Sequence, residues 1–488
     1  MRIDRQKGTP YGHRRAPGLC FGAGPVMAGQ TDVFQQKYFR RMIAGEAMRV
    51  ARETDDHIMV CCSDIAGQVR GKGFPASQLE KRRRFGVGWT PTNIMINCMG
   101  GIPETPFGPH GDLFLVPAPE GEVVLDFVDG TPVERWFLGD ILNLDETPWE
   151  CCLRTFLKRA LTALEQDAGL RLVASFEHEF HLTGAEHRSG DSYALSSMRS
   201  VAPFTREFLK ALRLNGLEPD TFLPEYGPRQ YEITLDPAPG LEAADRAVKL
   251  REICRAVARR HDLTASFSPV VTRGIVGNGV HLHFSLQDKT GAPVTHDPDG
   301  PGGLAKPAAC FAAGVLRHVR ALCAVTAPSL ISYERLRPHS WSAYWGNLGV
   351  RDREATLRIC PVPAVDDIDP RPRFNLEFRA ADAAASPYLQ LGMLVFAGLE
   401  GIRGSLPAPA IHDGDPETLG AAERARLGIQ DLPRSLPEAL EALEADAVAQ
   451  SWLGPRLAQA YLMHKHGEIA MLKDHEPDDV LRVYSEAY

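Results

Sequence analysis

The residues best suited to chemistry are acids and histidines spaced two apart. In Arg171 to Leu182, Ser175, Glu177, Glu179 and His181 alternate with Leu172, Ala174, Phe176, His178, Phe180 and Leu182. In Arg229 to Leu235, Gln230, Glu232 and Thr234 alternate with Tyr231, Ile233 and Leu235, and Glu225 lies just upstream. In Gly279 to Leu286, His281, His283 and Ser285 alternate with Val280, Leu282, Phe284 and Leu286. In Phe374 to Phe378, Asn375 and Glu377 sit between Phe374, Leu376 and Phe378, and Arg379 follows. A strand has a side-chain period of two, so each segment predicts one apolar face and one chemical face. These polar faces are rich in Glu and His and carry no Lys. On one shared surface, five carboxylates repel one another unless cations sit between them. Oxygen-rich ligation with a little imidazole suits Mg²⁺ or Mn²⁺. Divalent ions among carboxylates, with arginine nearby, meet the requirements of phosphoryl transfer from ATP.

Arginine is available. Arg335, Arg351, Arg353 and Arg358 fall close together, beside the strand-like run Ala355 to Ile359. A planar guanidinium clamps phosphate or carboxylate through two parallel hydrogen bonds. No Gly-x-x-x-x-Gly-Lys-Ser/Thr segment occurs, which disfavours a P-loop enzyme.

The elements that must position these residues are legible in outline. Residues 1–30 are rich in Gly, Pro and Arg, lack an apolar segment, and read as an N-terminal extension rather than a signal peptide. A helix is predicted from Val33 to about Thr54. Ile58 to Cys62 and Gln68 to Arg70 flank the turn-like Asp64-Ile65-Ala66-Gly67 and predict a hairpin. Leu113 to Val116 and Glu122 to Phe127 read as two further strands. Residues 31–148 thus form a small domain with a leading helix, and 149–488 a larger one in which helices separate the strands. Helices are predicted over Cys151 to Ala168, stopped by Gly169, and over Ala243 to Arg260. Another starts at Ser435, where Ser435-Leu436-Pro437-Glu438 has capping-box spacing. The charge run Lys81 to Arg84 reads as a solvated face.

Composition sets the limits. With 488 residues, 44% hydrophobic and 24% charged, the chain is an ordinary globular sequence and not a disordered one. A net charge of −8 argues against a dedicated nucleic-acid binder. Ten dispersed cysteines make no disulfide scaffold and no zinc ribbon. The longest apolar helix candidate, Tyr388 to Ile402, is too short and polar to cross a membrane. The expectation is a cytoplasmic protein with no membrane partner.

The order and wording of the motifs resemble the glutamine synthetase superfamily, from about Asp64 onward. Phe176-Glu-His-Glu-Phe180 is similar to its Glu-x-Glu strand, and Pro224 to Glu232 to its Glu…Gly-Gln-x-Glu segment. Gly277 to Leu286 resembles its Gly-x-Gly-x-His-x-His-x-Ser-Leu strand, and Asn375 to Arg379 with Ser386 to Leu389 its Glu-x-Arg…Asn-Pro-Tyr-Leu end. The resemblance implies an α+β fold: a small N-terminal β-grasp domain, then a large catalytic domain with a curved antiparallel sheet surrounded by helices. It implies one metal site at Glu179, Glu225 and Glu232 and a second at Glu177, His281 and Glu377. It places His283 and Ser285 toward ATP, Arg353 and Arg358 on the phosphates, and Gly277, Arg335 and Arg379 on glutamate. The implied assembly is a large homo-oligomer of stacked rings with active sites between subunits. The implied reaction activates the γ-carboxylate of glutamate as an acyl phosphate, which an amine then attacks.

Departures from the family pattern bear on the amine. In the flap Arg337 to Ala343, Trp341 stands where ammonia-using members carry Glu. An indole donates a hydrogen bond but accepts no proton. The loop expected to bring a second acid is matched by Phe85-Gly-Val-Gly-Trp89, which has none. Val276, Arg229 and Asn375 also depart from the pattern. The expectation is a ligase joining glutamate to a small organic amine, with an alkyl or aromatic amine favoured over ammonia. Two readings compete: an ordinary ammonia-using glutamine synthetase, and a catalytically silent relative. A guanidino phosphotransferase is a more distant one.

Overall fold

The computed structural model describes residues 57–363 and 368–488. The expected extension at 1–30 and the helix at 33–54 lie outside the described residues. The first sheet contains β1 (His57–Ser63), β2 (Val69–Pro75), β3 (Val87–Trp89), β4 (Leu113–Leu125) and β5 (Glu134–Leu142), in the order β2-β1-β5-β4-β3. The β1–β2 hairpin closes as its sequence suggests. The Asp64 amide donates to the Gln68 carbonyl at 3.0 Å, and the Asp64 carboxylate accepts from the Gln68 amide at 2.9 Å. Gly67 takes the left-handed conformation (φ 70°), and a Cβ there would stand 2.9 Å from the Ala384 carbonyl oxygen. The turn therefore requires glycine twice over, for its backbone and for its close approach to the larger domain.

Two expectations in this sheet change. The runs Leu113 to Val116 and Glu122 to Phe127 belong largely to one strand, β4, whose pairing with β5 slips between Pro117 and Glu122. Proline has no amide to donate, so Pro117 and Pro119 interrupt the ladder without ending the strand. The run Lys81 to Arg84 lies on a helix, Leu79–Phe85, and only part of it is solvated. Arg83 lies 5.6 Å over the Phe137 ring, and Arg82 donates to the Gly86 carbonyl.

The second sheet contains β6 (Leu170–Thr183), β7 (Pro219–Pro224), β8 (Gln230–Leu235), β9 (Ala238–Pro239), β10 (Thr264–Ser266), β11 (Val280–Asp288), β12 (Trp345–Val350), β13 (Ala355–Ile359), β14 (Leu376–Phe378) and β15 (Gln430–Asp431). Its order is β15-β12-β13-β14-β11-β6-β8-β7, with β9 and β10 also pairing with β6. All these pairings are antiparallel except β12 with β13, which are parallel. The predicted alternation holds on β6. Leu172, Ala174, Phe176, His178, Phe180 and Leu182 are buried. The helix Gly240–Arg260 packs on this strand.

Helices close the core behind the sheet. Leu153–Ala163 runs on through a π-turn to Gly169, whose φ of 69° ends it. Ser435 caps Leu436–Ala445 by accepting from the Glu438 amide, while the Glu438 carboxylate takes the Arg434 amide. Pro387–Arg403, almost wholly buried, packs on Leu153–Ala163 and Lys306–Arg317. No single helix among the described residues is long and apolar enough to cross a membrane. A buried cluster ties the small sheet to these helices. Arg154 pairs with Asp245 at 2.9 Å, with Asp140 of β5 at 3.0 Å and with Glu120 at 2.7 Å, and the Tyr388 hydroxyl donates to Asp245. A charge this deep is tolerable because every partner is present.

Lys306–Arg317 and Pro387–Arg403 meet through glycine. A Cβ on Gly314 would stand 2.0 Å from the Ala397 carbonyl oxygen, and one on Gly401 2.0 Å from that of Cys310. Backbone cannot yield as a side chain does. Gly314→Ala is therefore expected to cost about 1–3 kcal/mol by overpacking. Urea unfolding checks this; a midpoint equal to the parent's would mean the helices separate freely.

Candidate active site

Strand register brings the predicted residues together. Across β6 and β11, Glu177 faces His281; across β6 and β8, Glu179 faces Glu232. Across β11 and β14, His283 faces Glu377, and across β14 and β13, Glu377 faces Arg358. Residues directly opposite on a sheet point to the same side, so five strands present one continuous polar surface. The fifth acid, Glu225, follows β7, and its amide donates to the Gln230 carbonyl at 2.8 Å.

Glu177, His281 and Glu377 form the tighter group. His281 Nδ1 lies 2.7 Å from Glu177 and 3.7 Å from Glu377, and the three ligand atoms lie within 4.8 Å of one another. His283 Nε2 adds a contact to Glu177 at 3.5 Å. Burial would raise the pKa of Glu177, but hydrogen bonds from His281 and His283 hold it well below the usual carboxylate range. Glu377 is likewise opposed by burial yet lowered to about 2 by Arg379, His281 and His283. Arg358 donates to Glu377 at 2.7 Å, and Arg379 pairs with its other oxygen.

The second group has no ion pair with a cation among the described residues, although the buried Arg335 lies near enough to Glu179 to interact with its charge. Glu179 Oε2 accepts from the Gly279 amide at 2.8 Å. Glu225 Oε2 accepts from the Tyr193 hydroxyl and the Tyr226 amide, each at 2.9 Å. Burial and then the neighbouring carboxylates raise both Glu225 and Glu232, and Glu232 is pushed far above the usual range. This surface holds more negative charge than its own cations neutralise. The donors, carboxylates with one imidazole, fit Mg²⁺ or Mn²⁺.

The arginines and the flap border these groups. Arg335 is buried, and its Nη2 donates to the Ala381 carbonyl at 2.6 Å and the Arg379 carbonyl at 3.3 Å. Its room comes from two glycines. A Cβ on Gly277 would meet Arg335 Cγ at 3.0 Å, and one on Gly279 would meet both Arg335 Nη1 and His281 Nε2 at 3.0 Å. Arg379 Nη2 donates to the Trp341 carbonyl at 3.1 Å. Trp341 takes a left-handed backbone (φ 55°), and its side chain is 69% exposed. Arg353 is exposed and makes no ion pair with a described residue, and Ser285 is half-buried on the β11 face that carries His283. Arg353 is thus the one expected phosphate ligand that no contact ties to the cluster.

Gln230 and His181, which the alternation put on the polar faces without a role, support the acids, while Tyr193, Cys360 and Glu354 escaped the sequence reading. Gln230 Nε2 lies 3.0 Å from the Gly277 carbonyl, 3.0 Å from Asn278 Oδ1 and 3.3 Å from Glu179. Asn278 Oδ1 also takes His181 Nδ1 at 2.9 Å, and burial lowers the pKa of His181 to about 4, so His181 is neutral and donates. Tyr193 gave no signal, because it sits in a segment without periodicity. Cys360 Sγ lies 3.7 Å from His283 Nδ1, and Glu354 accepts the Trp341 amide at 3.0 Å.

Comparison with known proteins shows the family of the chain. Residues 150–484 match the glutamine synthetase catalytic domain, and residues 47–149 match the glutamine synthetase N-terminal domain. A gamma-glutamylpolyamine synthetase, GlnA3 of Streptomyces coelicolor, is 33% identical over 442 residues, 88% of this chain and 93% of that protein. Glutamine synthetase of Thermococcus kodakarensis is 31% identical, covering 81% of this chain and 86% of that protein. A solved structure described as a novel glutamine synthase homolog superposes with a TM-score of 0.82 at 39% identity, covering 89% of this chain and 99% of that one. A GmaS/ADP complex superposes with a TM-score of 0.75 at 26% identity, covering 89% and 98%.

The charge crowding has a measurable sign. The folded-state pKa of Glu232 lies above its unfolded value. Its contribution to stability is full below the ordinary glutamate range and is lost as pH rises toward the raised value. Glu232→Gln removes that loss. In EDTA at pH 8 the variant is expected to melt above the parent, and adding Mg²⁺ is expected to stabilise the parent more than the variant. Identical melting curves with and without Mg²⁺ would contradict the crowding.

Proposed function

The chain belongs to the glutamine synthetase family, whose members are carbon–nitrogen ligases, and on that premise we propose that it joins the γ-carboxylate of glutamate to an organic amine at the expense of ATP. The observation that carries this reading is the cross-strand register that gathers Glu177, Glu179, Glu232, His281 and Glu377 on one face. Glu177, His281 and Glu377 would hold one divalent ion, and Glu179, Glu225 and Glu232 another. Bound there, Mg²⁺ or Mn²⁺ would neutralise the triphosphate and polarise the transferred phosphoryl group.

The chain's own residues do the rest. Arg335 and Arg379 would fix the glutamate carboxylates, with Gly277 letting the substrate pass close to the backbone. His283 and Ser285 would border the nucleotide. Arg353 and Arg358 would hold the phosphates, and Arg353, exposed and without an ion pair among the described residues, would turn toward them. A γ-carboxylate oxygen bonds to the terminal phosphorus as the bond to ADP breaks. The amine, as its free base, then bonds through nitrogen to the acyl carbon as the acyl carbon–oxygen bond breaks; phosphate leaves with the electron pair and takes up the proton the nitrogen gives up. Trp341 would shield this step from water with its indole and offer the amine contact area. A ring oligomer would bring the Phe85 to Trp89 loop of a neighbouring subunit to the same site.

The preference for an organic amine rests on Trp341, and the likeness to a gamma-glutamylpolyamine synthetase supports it. Phosphate release with glutamate, ATP and Mg²⁺, measured over ammonia and a panel of amines, tests the reading. Glu179→Ala is expected to abolish turnover with every amine. Trp341→Ala is expected to lower kcat/KM for the best organic amine about tenfold and to change ammonia use little. Ammonia as the best substrate would favour a glutamine-forming enzyme instead. Two variants that both behave as the parent would refute the site.

A further inference from the structure

Trp341 is exposed, yet its backbone is held from both sides. Its amide donates to Glu354 Oε1 at 3.0 Å, and its carbonyl accepts from Arg379 Nη2 at 3.1 Å. The left-handed φ of 55° is unfavourable for a residue of this size, so the two bonds have strain to hold. Any neutral acceptor would suffice to anchor that amide. The chain uses a carboxylate, and Glu354 makes no ion pair with any described residue. The flap histidine His339 forms its ion pairs with Glu417 at 3.0 Å and Asp415 at 3.8 Å, and Glu354 acts on it only as a nearby charge. Glu354 is therefore a half-buried carboxylate with no ion pair among the described residues, bonded to the backbone of a residue whose indole is exposed. It stands one residue's backbone away from Arg379, which also pairs with Glu377.

From this juxtaposition we infer that Glu354 is a specificity-determining residue, anchoring Trp341 through one oxygen and selecting a protonated aliphatic amine over a neutral aromatic one through its charge. The inference rests on the ligase reading and narrows it. An indole alone accepts an apolar ring or a cation. A carboxylate next to it favours the cation, because an ammonium gains both a charge-assisted hydrogen bond and the π face. It also accounts for how the flap can lose its usual acid and still attract an ammonium: the negative charge sits on the neighbouring loop, directly after Arg353. The Asp352 carboxylate steadies that loop by accepting the Glu354 amide at 2.9 Å.

The test compares 1,4-diaminobutane, aniline and hydroxylamine as acceptors, by phosphate release with glutamate, ATP and Mg²⁺. The first is a cation at neutral pH and the other two are neutral. Glu354→Gln keeps an acceptor for the Trp341 amide and removes the charge. It is expected to raise KM for the diamine about tenfold, with kcat and hydroxylamine use near the parent's. Glu354→Ala removes the anchor as well and is expected to weaken use of all acceptors. A Gln variant with a diamine KM within about twofold of the parent's would overturn the inference. So would equal impairment with hydroxylamine, which would reduce Glu354 to a flap anchor. A parent that prefers aniline overturns it while leaving the ligase reading intact. A parent inactive with every acceptor removes the ligase reading itself.

Discussion

Like charges forced together by strand register are the constraint on which the rest of the site depends. Glu179 and Glu232 face each other across β6 and β8, and Glu177 lies two residues from Glu179 on the same face. No local packing advantage explains this arrangement. Carboxylates at such spacing destabilise a sheet unless something positive joins them. On the β14 side, Arg358 and Arg379 supply that charge within the chain, and Glu377 is held ionised. On the β8 side no described cation forms an ion pair with the acids, Arg335 acting on Glu179 only from beyond pairing distance, and Glu225 and Glu232 are driven toward the protonated form. The two halves therefore differ in charge balance: one is neutralised by arginines of the chain, and the other is not.

The surrounding elements serve to hold that arrangement rigid. The apolar face of β6 is anchored by the helix Gly240–Arg260. Gly277 and Gly279 leave space that Arg335 and His281 occupy. Asn278 and Gln230 link β11, β8 and Glu179 by hydrogen bonds, so the backbone near the substrate side is fixed by polar contacts rather than by packing. The small sheet is tied to the same frame through Arg154 and the Gly67 turn. Chemistry between charged groups requires preorganisation of this kind, because a loosely held carboxylate would simply rotate away from its neighbour.

Much of this was legible in the sequence, and the reason is periodicity. Glu177 and Glu179, or His281 and His283, two apart among buried apolar residues, can lie only on the polar face of a strand. Periodicity put Glu177, Glu179, Glu232, His281 and Glu377 on polar faces, while their grouping with Glu225 into two metal sites came only from the family resemblance; the helix capped by Ser435 was legible from its capping-box spacing. What escaped has no period. Pro117 and Pro119 concealed the unity of β4, and the consecutive apolar run in β5 carried no alternation to read. Tyr193 and Glu354 act from irregular segments, where a side chain's partner depends on tertiary folding alone. The parallel pairing of β12 with β13 was likewise invisible, since strand direction leaves no trace in a single strand's residues.

The central claim is that paired divalent cations balance this carboxylate surface. Electron paramagnetic resonance of Mn²⁺ titrated into the full-length protein with saturating ATP counts those cations directly. Two bound ions per chain, magnetically coupled and both lost when Glu177 and Glu232 are replaced together by Gln, are the predicted result. Two ions that survive that double substitution, or none at all, would contradict the account.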